Sequence, residues 1–501
     1  MILSKSDYML FLRHPGWLWL KKFDKHKLPP IDANLQAMFD TGNEFEQYAQ
    51  QLYPDGKRIG FNSYHEYLSL PARTKNALDS GAQTIFQGRF EADGITCIID
   101  VLHRVEDNVY DLIEIKSSTR AKPEHEYDLA FQTIVLEKSS LKIGKISVLH
   151  VNNEYVRDGQ IDVTALVAQT DVTESVRALI DTTTAQIARA QQMLREKKPP
   201  DFSPRLVNQC NVPNVMWFMD WLDIYKSLNP NLDPYSIYSL SYPNAQQIGT
   251  LEEAGIELIS DMPQELALRP KQLAQIKATK NDERNIEWDK IADFLDTLKY
   301  PLYFLDYETY SLIIPHFDGE KPYSDYPFQY SLHVLDSPGG ELRHTEYLHK
   351  QNSNPVPCLL EKLQADIGKQ GTVLTWNMSY EKGCNDRMGE RSPQYAEFLS
   401  SLNERIVDLM TPFSELWYVD KDFFGSASIK KVLPVLVPEL SYKELDVSDG
   451  LKARRTWMET VFDGKHEQER EKIMSDLSAY CTLDTLAMVR IWEKLREVVK
   501  T

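Results

Sequence analysis

Thiols are scarce and scattered in this chain. Its 501 residues include five cysteines, Cys97, Cys210, Cys358, Cys384 and Cys481, with no Cys-x-x-Cys pair. That excludes a disulfide framework and a zinc ribbon, which need clustered thiols, and fits a reducing cytoplasm. Long apolar runs are missing as well. No stretch reaches the roughly 18–20 apolar residues of a membrane span. The N-terminal MILSKSDYMLFLRHPGWLWLKKF mixes Lys, Asp, Arg and His among its apolar residues, unlike a signal peptide, and reads as a folded amphipathic helix over about 5–22. Positive charge is short too: 56 Lys and Arg stand against 74 Asp and Glu, a formal net charge of −18. A protein that coats DNA irrespective of sequence would be basic, so the balance weighs against a pure binding module. It leaves room for an enzyme that gathers carboxylates around a cation beside a local basic groove. No G-x-S-x-G, H-E-x-x-H or G-x-x-x-x-G-K motif occurs, which removes the common hydrolase and phosphate-cradling signatures.

What is present is an α/β multidomain pattern. Residues 1–200 combine helical stretches (about 5–22 and 34–53) with strand-like ITCIIDVLHRV and NVYDLIEIKSS, joined by a turn at EDN. HEYDLAFQTIVLEKS then reads as a helix, KISVLHVN as a strand, and 170–196 as one long helix ending at Lys-Lys-Pro-Pro. Residues 201–290 read as a helical connector. Within it IGTLEEAGIELISDMPQELALRPKQLAQIKATK, with turn residues Gly249, Gly255 and Pro263, is a candidate helix-hairpin-helix, or equally a plain connector. From 291 to 501 a second α/β region carries strand-like PLYFLDYETYS, FQYSLHVLD and TVLTWN, and ends in the periodic helix SDLSAYCTLDTLAMVRIWEKLREVV.

Two constellations carry chemistry. Glu114 and Lys116 are two apart on a strand and so share a face, with Asp100 on the preceding strand of the same hairpin. Two carboxylates beside an ammonium can bind Mg²⁺ and hold a water near it, with Lys116 orienting the water or a phosphate. Glu-x-Lys alone is equally what a solvated strand face carries. In the second region Asp306 and Glu308 share a strand face, while Tyr480 and Asp484 share a helix face at i and i+4. Converging acidic groups repel one another unless a cation is present, and a pair of divalent metals meets that demand. A tyrosine hydroxyl beside the attacking water can orient it or accept its proton.

The order Asp100, Glu114-x-Lys116, Gln132 resembles the PD-(D/E)XK nucleases of the RecB-like branch. The resemblance implies a restriction-endonuclease-like core in which Asp100 and Glu114 bind metal, Lys116 is catalytic and Gln132 positions the site. The aromatic residue of that motif is Leu136 here. Where relatives carry an early-helix histidine, TGNEFEQYAQ offers Glu44 and Glu46, and Glu46 is the candidate additional ligand. Many relatives hold an iron–sulfur cluster on four cysteines; the matching regions here retain only Cys210, so no cluster is expected, and Trp17, Trp19, Trp217 and Trp221 are expected to pack in its place.

Asp306-x-Glu308, Asn377-Met-Ser-Tyr380-Glu381 and Tyr480-x-x-x-Asp484 resemble the motifs of DnaQ-like exonucleases of the DEDDy type, on an RNase H-like fold. The resemblance implies a 3′–5′ exonuclease with metal on Asp306, Glu308, Glu381 and Asp484, and Tyr480 catalytic. Glu381 stands where the family has Asp, so Asp386 is an alternative ligand. Asp408 is expected to be structural, and Lys430 and Lys431 to contact nucleic acid or simply to start a solvated helix. FLDYET, SASIKKVLPVLVPELSYKEL and AYCTLDTLAM also resemble a bacterial family known only as a domain of unknown function. Together these imply a cytoplasmic, Mg²⁺- or Mn²⁺-dependent nuclease with nucleic acid as partner, DNA ahead of RNA, and no membrane association. The competing readings are one active site with a second module that only grips, and a non-catalytic nucleic-acid-binding protein.

Overall fold

The computed structural model describes residues 1–208, 215–442, 445–447 and 449–500, so Cys210 lies outside the described residues. It is a multidomain α/β protein whose contacts separate into two compact units. Unit 1 holds Met1–Leu232, Asn244–Thr250 and Ile313–Pro322; unit 2 holds Asp233–Pro243, Leu251–Leu312 and Tyr323–Thr501. Residues 201–290, read as a connector, are therefore shared between both. Ala245–Glu253 and Pro270–Asn281 are helices separated by two 3-10 turns, and Gly249 lies inside the first helix rather than at a turn. Among the described residues no helix is long and apolar enough to cross a membrane.

Unit 1 is built on a mixed seven-stranded sheet. Its strands are β1 (Leu3–Ser4), β2 (Lys57–Arg58), β3 (Thr84–Ala92), β4 (Ile95–Glu106), β5 (Val109–Lys116), β6 (Lys142–Val151) and β7 (Val167–Asp171), ordered β2-β3-β4-β5-β6-β7 with β1 parallel to β4. The β4–β5 hairpin turns at Asn108, whose φ of 56° is left-handed, as expected for Asn in a tight turn. The helix Pro123–Lys138 buries an almost unbroken run from Asp128 to Leu136, including Gln132. The segment expected as one N-terminal helix is two, Lys5–Arg13 and Pro15–Phe23, because Pro15 cannot continue the first helix and instead starts the second. The long helix expected from 170 is likewise divided, into Thr173–Ala178 and Ile180–Glu196, after β7.

His14, between the two N-terminal helices, is fully buried. Its Nδ1 accepts the Gly16 N–H (2.9 Å), its Nε2 lies 3.0 Å from the Ser203 carbonyl as donor, and its ring stacks on Trp221 at 3.8 Å. Burial pushes its pKa down to about 3. An unfolded histidine takes up a proton below about pH 6.5, whereas this one stays neutral. The unfolded state then holds one more proton, so stability is complete above that pH and falls as pH drops toward 3, by about 1.4 kcal/mol per unit. We expect His14→Gln to flatten the acid slope of urea-unfolding stability by one proton; an unchanged slope would contradict this role.

Unit 2 contains β8 (Asn285–Ile286), β9 (Leu302–Tyr310), β10 (Tyr326–Leu335), β11 (Leu342–Leu348), β12 (Thr372–Thr375), β13 (Ile406–Asp408) and β14 (Tyr418–Val419). Five form a mixed sheet in the order β11-β10-β9-β12-β13, with β12 parallel to β9 and β10 antiparallel to it; β8 pairs with β14. Gly371, at φ 96° before β12, must be glycine: a Cβ there would stand 2.2 Å from the Pro301 carbonyl oxygen.

Alternation along β9 decides where the acids go. Tyr303, Leu305 and Tyr307 face one apolar cluster, packed by Leu359, Leu363, Met388 and Trp457. Leu302 and Phe304 face the other, packed by Met488, Ile491, Trp492 and Leu495 of the last helix, Arg470–Lys500. Asp306 and Glu308 continue that second face. The last helix joins both clusters, with Leu477 and Tyr480 in the first and residues from Ala487 onward in the second. Asp484 falls between them.

Candidate metal centre and the Glu114–Lys116 cluster

In unit 2, ligand atoms of Asp306, Glu308 and Asp484 all lie within 4.8 Å of one another, the one such acidic, His or Cys trio among the described residues. They line a cavity of about 270 Å³ together with Tyr480, Lys430 and Arg454. Tyr442 donates its hydroxyl hydrogen to Asp484 Oδ1 at 2.6 Å. The Lys430 ammonium stands 5.9 Å from the Tyr442 ring centre and 5.8 Å from that of Tyr480. Lys431 lies elsewhere, over Phe424 at 5.5 Å.

The electrostatics follow from crowding acids in a dry place. Burial, then the charges of Asp484 and Glu308, hold Asp306 well above the usual carboxylate range. Burial and Asp484 push Glu308 up to about 8, and burial raises Asp484 to about 6 against the opposing pull of Tyr442 and Lys430. Burial also drives Tyr480 upward, so its phenol stays protonated at neutral pH. Three hard oxygen donors that resist joint ionisation fit a Mg²⁺ or Mn²⁺ ion, whose charge would relieve the repulsion.

Glu381 is near this trio but outside it. It is buried on the helix Met378–Arg391, raises the pKa of Asp306, and is itself pushed to about 8 by burial, with Oε2 lacking a hydrogen-bond partner. Asp386 does not substitute for it: five residues further along, it is exposed and accepts from Asn403 at 2.8 Å. Asp408 takes the backbone N–H groups of Asn377, Met378 and Met410 at 2.9–3.1 Å, fixing the start of the Glu381 helix. Asn377 has φ 76°, a left-handed conformation that Asn tolerates better than most residues.

In unit 1 the sheet brings Asp100, Glu114, Lys116 and Gln132 into one neighbourhood. Beyond the Val101–Ile113 pair the β4–β5 ladder gives way, and Asp100 Oδ2 accepts the Ile115 N–H at 2.8 Å. Glu114 Oε1 accepts from Lys116 (2.5 Å) and Lys5 (2.9 Å), and Oε2 from Gln132 (2.7 Å). Asp128, absent from the sequence reading, accepts from Lys116 (2.9 Å) and Gln132 (2.9 Å). Its signal was available: it precedes Gln132 by one helical turn. Lys5 had no local signal.

Burial would raise Glu114, but Lys116 and Lys5 outweigh it and hold it far below the usual range. Asp100 goes the other way: burial, then the Glu114 charge, lifts it to about 8. Glu46 meets the cluster by hydrogen bond through Gln87, whose amide donates to Glu46 Oε1 at 2.6 Å and lies 3.4 Å from Asp100 Oδ1, and its charge is felt by Asp100. Gln87 has φ 55°, the strained left-handed region, here beside a candidate site. The oxygen donors suit a hard cation, but Lys5 and Lys116 already neutralise Glu114. The tryptophans expected beside the missing cysteines do pack in unit 1: Trp217 and Trp221 are buried, Trp17 lies 5.9 Å from Trp221, and Trp19 lies 6.0 Å from Phe202.

Comparison with known proteins gives two similarities. Residues 303–428, which include Asp306, Glu308 and Glu381 but not Asp484, match the family described as "Domain of unknown function (DUF2779)". An uncharacterized protein of Ureaplasma parvum serovar 3 is 23% identical over 252 residues, covering 44% of this chain and 34% of that protein. The chain thus spans about a third of the length of this relative.

Proposed function

We propose that this chain is a metal-dependent nuclease whose principal active centre is the Asp306–Glu308–Asp484 cluster of unit 2, acting as a 3′–5′ exonuclease on DNA ahead of RNA. The observation that carries the reading is three carboxylates, Glu308 and Asp484 buried and Asp306 half-buried, from a central strand and a crossing helix meeting at one cavity with a tyrosine and a lysine. Mg²⁺ or Mn²⁺, when bound, supplies charge for the scissile phosphate and acidifies a water. The chain's own groups do the rest. Tyr442 holds Asp484 Oδ1 and so fixes the orientation of that carboxylate. Tyr480 hydrogen-bonds Asp484 and lines the same cavity, where its hydroxyl can orient the attacking water. Lys430 and Arg454 bring positive charge to a cavity that Trp376 and Tyr380 also line, suited to a phosphate and a flat base.

The folds proposed are RNase H-like (DnaQ-like) for the second α/β region and PD-(D/E)XK, RecB-like, for the first, in a protein working in the cytoplasm. The acidic pair on the middle strand of a mixed sheet supports the one; the Asp100, Glu114-x-Lys116, Gln132 neighbourhood supports the other. Lys116 would be the catalytic residue of unit 1. A second reading, in which unit 1 grips nucleic acid without cutting it, is favoured by the two lysines that already satisfy Glu114.

Digestion of end-labelled single- and double-stranded DNA and RNA with Mg²⁺ or Mn²⁺ tests both. Asp484→Asn should abolish stepwise 3′ shortening, and Lys116→Ala should spare it while removing any other cleavage. If Asp484→Asn shortens ends as fast as the parent, the proposal fails; if Lys116→Ala changes nothing, unit 1 only grips.

A further inference from the structure

Lys5 is fixed in place by the chain around it. Ser4 pairs with Thr96 of β4, the strand that carries Asp100. Ser4 and Asp7 cap the helix reciprocally, Ser4 Oγ accepting the Asp7 N–H (3.2 Å) and Asp7 Oδ2 the Ser4 N–H (3.0 Å). Asp7 is buried and pairs with Lys21 (2.9 Å) and Lys22 (2.6 Å), which ties in the next helix. Lys5, the first helical residue, is thereby delivered to Glu114 Oε1 at 2.9 Å and Asp128 Oδ1 at 3.5 Å.

The four charges in direct ion-pair contact balance without a metal, with Asp100 beside them. Glu114 and Asp128 supply two negative charges, Lys5 and Lys116 two positive ones, and both ammonium groups meet the same Glu114 oxygen. Gln132 closes the other oxygen, and its own buried Oε1 is left without a hydrogen-bond partner. A hard divalent cation needs carboxylate oxygen, so it and an ammonium compete for the same lone pairs. Lys116 lies on the strand beside Glu114 and also pairs closely with Asp128 (2.9 Å), whereas Lys5 comes from another element and stands 3.5 Å from Asp128; both side chains open to solvent, 19% for Lys5 and 27% for Lys116.

We infer that Lys5 is an internal counter-ion seated on the oxygen that a divalent cation needs, so that unit 1 takes up metal only as Lys5 leaves Glu114. This rests on the proposed reading of unit 1 as a metal-dependent centre and gives that centre its control. An anionic nucleic-acid backbone is the chemistry that would draw the released ammonium away.

The test is Mn²⁺ binding followed by electron paramagnetic resonance on the full chain carrying Asp306→Asn and Asp484→Asn, which removes ligands of the unit 2 centre. Adding Lys5→Met should tighten binding roughly 10-fold, about 1.4 kcal/mol. Lys145→Met removes an exposed charge elsewhere on unit 1 and should leave binding unchanged. Equal affinity with and without Lys5→Met, or an equal gain from Lys145→Met, overturns the inference. A second measurement needs no variant at Lys5: acylation of Lys5 read by mass spectrometry should rise severalfold when Mn²⁺ is added, and no rise also overturns it. Both readouts are independent of cleavage. A parent protein with no Lys116-dependent cleavage would therefore contradict the nuclease reading of unit 1 while leaving Lys5–metal exchange to be judged separately.

Discussion

Asp306→Asn is expected to lower metal-dependent end shortening by on the order of 10³-fold, about 4 kcal/mol of transition-state stabilisation. The same substitution should make the metal-free protein more stable. Burial and the charge of Asp484 hold the carboxyl groups of Asp306 and Glu308 above their ordinary range, and Glu308 raises Asp306 further. A group whose folded pKa is raised is protonated more readily in the fold than in the unfolded chain. Its cost to stability is absent at low pH and grows as pH climbs from the ordinary carboxylate value through the raised one. Replacing Asp306 by a neutral amide of the same shape removes one of the repelling charges and should add on the order of 2 kcal/mol at pH 8 without metal. Mn²⁺ should then stabilise the parent but not the variant. Thermal unfolding with and without Mn²⁺ reads both effects. A variant that is less stable than the parent without metal, and still stabilised by Mn²⁺, would contradict the geometry.

Trp457→Ala should cost about 3–5 kcal/mol for the emptied volume, with a further ~1 kcal/mol for the hydrogen bond lost. That is a large part of the total stability of an ordinary domain. Trp457 is fully buried, stacks on Phe328 at 4.2 Å and Tyr310 at 5.4 Å, and donates its indole N–H to the His349 carbonyl at 2.7 Å. It anchors the helix Gly450–Val461 against β9 and β10. That helix carries Arg454, whose guanidinium donates to the Thr309 carbonyl (2.9 Å) and to Asp325 (2.8 Å), beside Glu308. The loss should therefore appear twice, as a lower urea midpoint and as weaker activity before unfolding begins. Trp457→Phe keeps ring stacking and should cost less than half as much. A change under about 1 kcal/mol for the alanine variant would mean that the site collapses around the hole, against this packing.

The parts of the fold that could be read from the sequence are those where burial imposes a period. FLDYET is legible because β9 lies inside the sheet, so its apolar run is nearly continuous, and the two acids interrupt it at the same phase. Tyr480 and Asp484 are legible because a helix brings i and i+4 together. β11 escaped notice because it is an edge strand: LRHTEYL is half exposed and carries no strong alternation. The helix Tyr64–Asp79 has few buried residues and contains Pro71, which disguises it. Glu381 matched a motif position, and the fold puts it beside the trio rather than within it. Tyr442 lies 42 residues from the Asp484 it holds. Lys5 reaches Glu114 across 109 residues of chain. No periodicity encodes such approaches, because they are set by strand pairing and helix capping far from the motif.

The most direct test of the central claim is anomalous diffraction from Mn²⁺-soaked crystals of the full chain. Density is expected at Asp306, Glu308 and Asp484, with carboxylate oxygens about 2.1–2.2 Å from the ion. Ordered Mn²⁺ found only on other groups, with these three side chains turned apart, would contradict it.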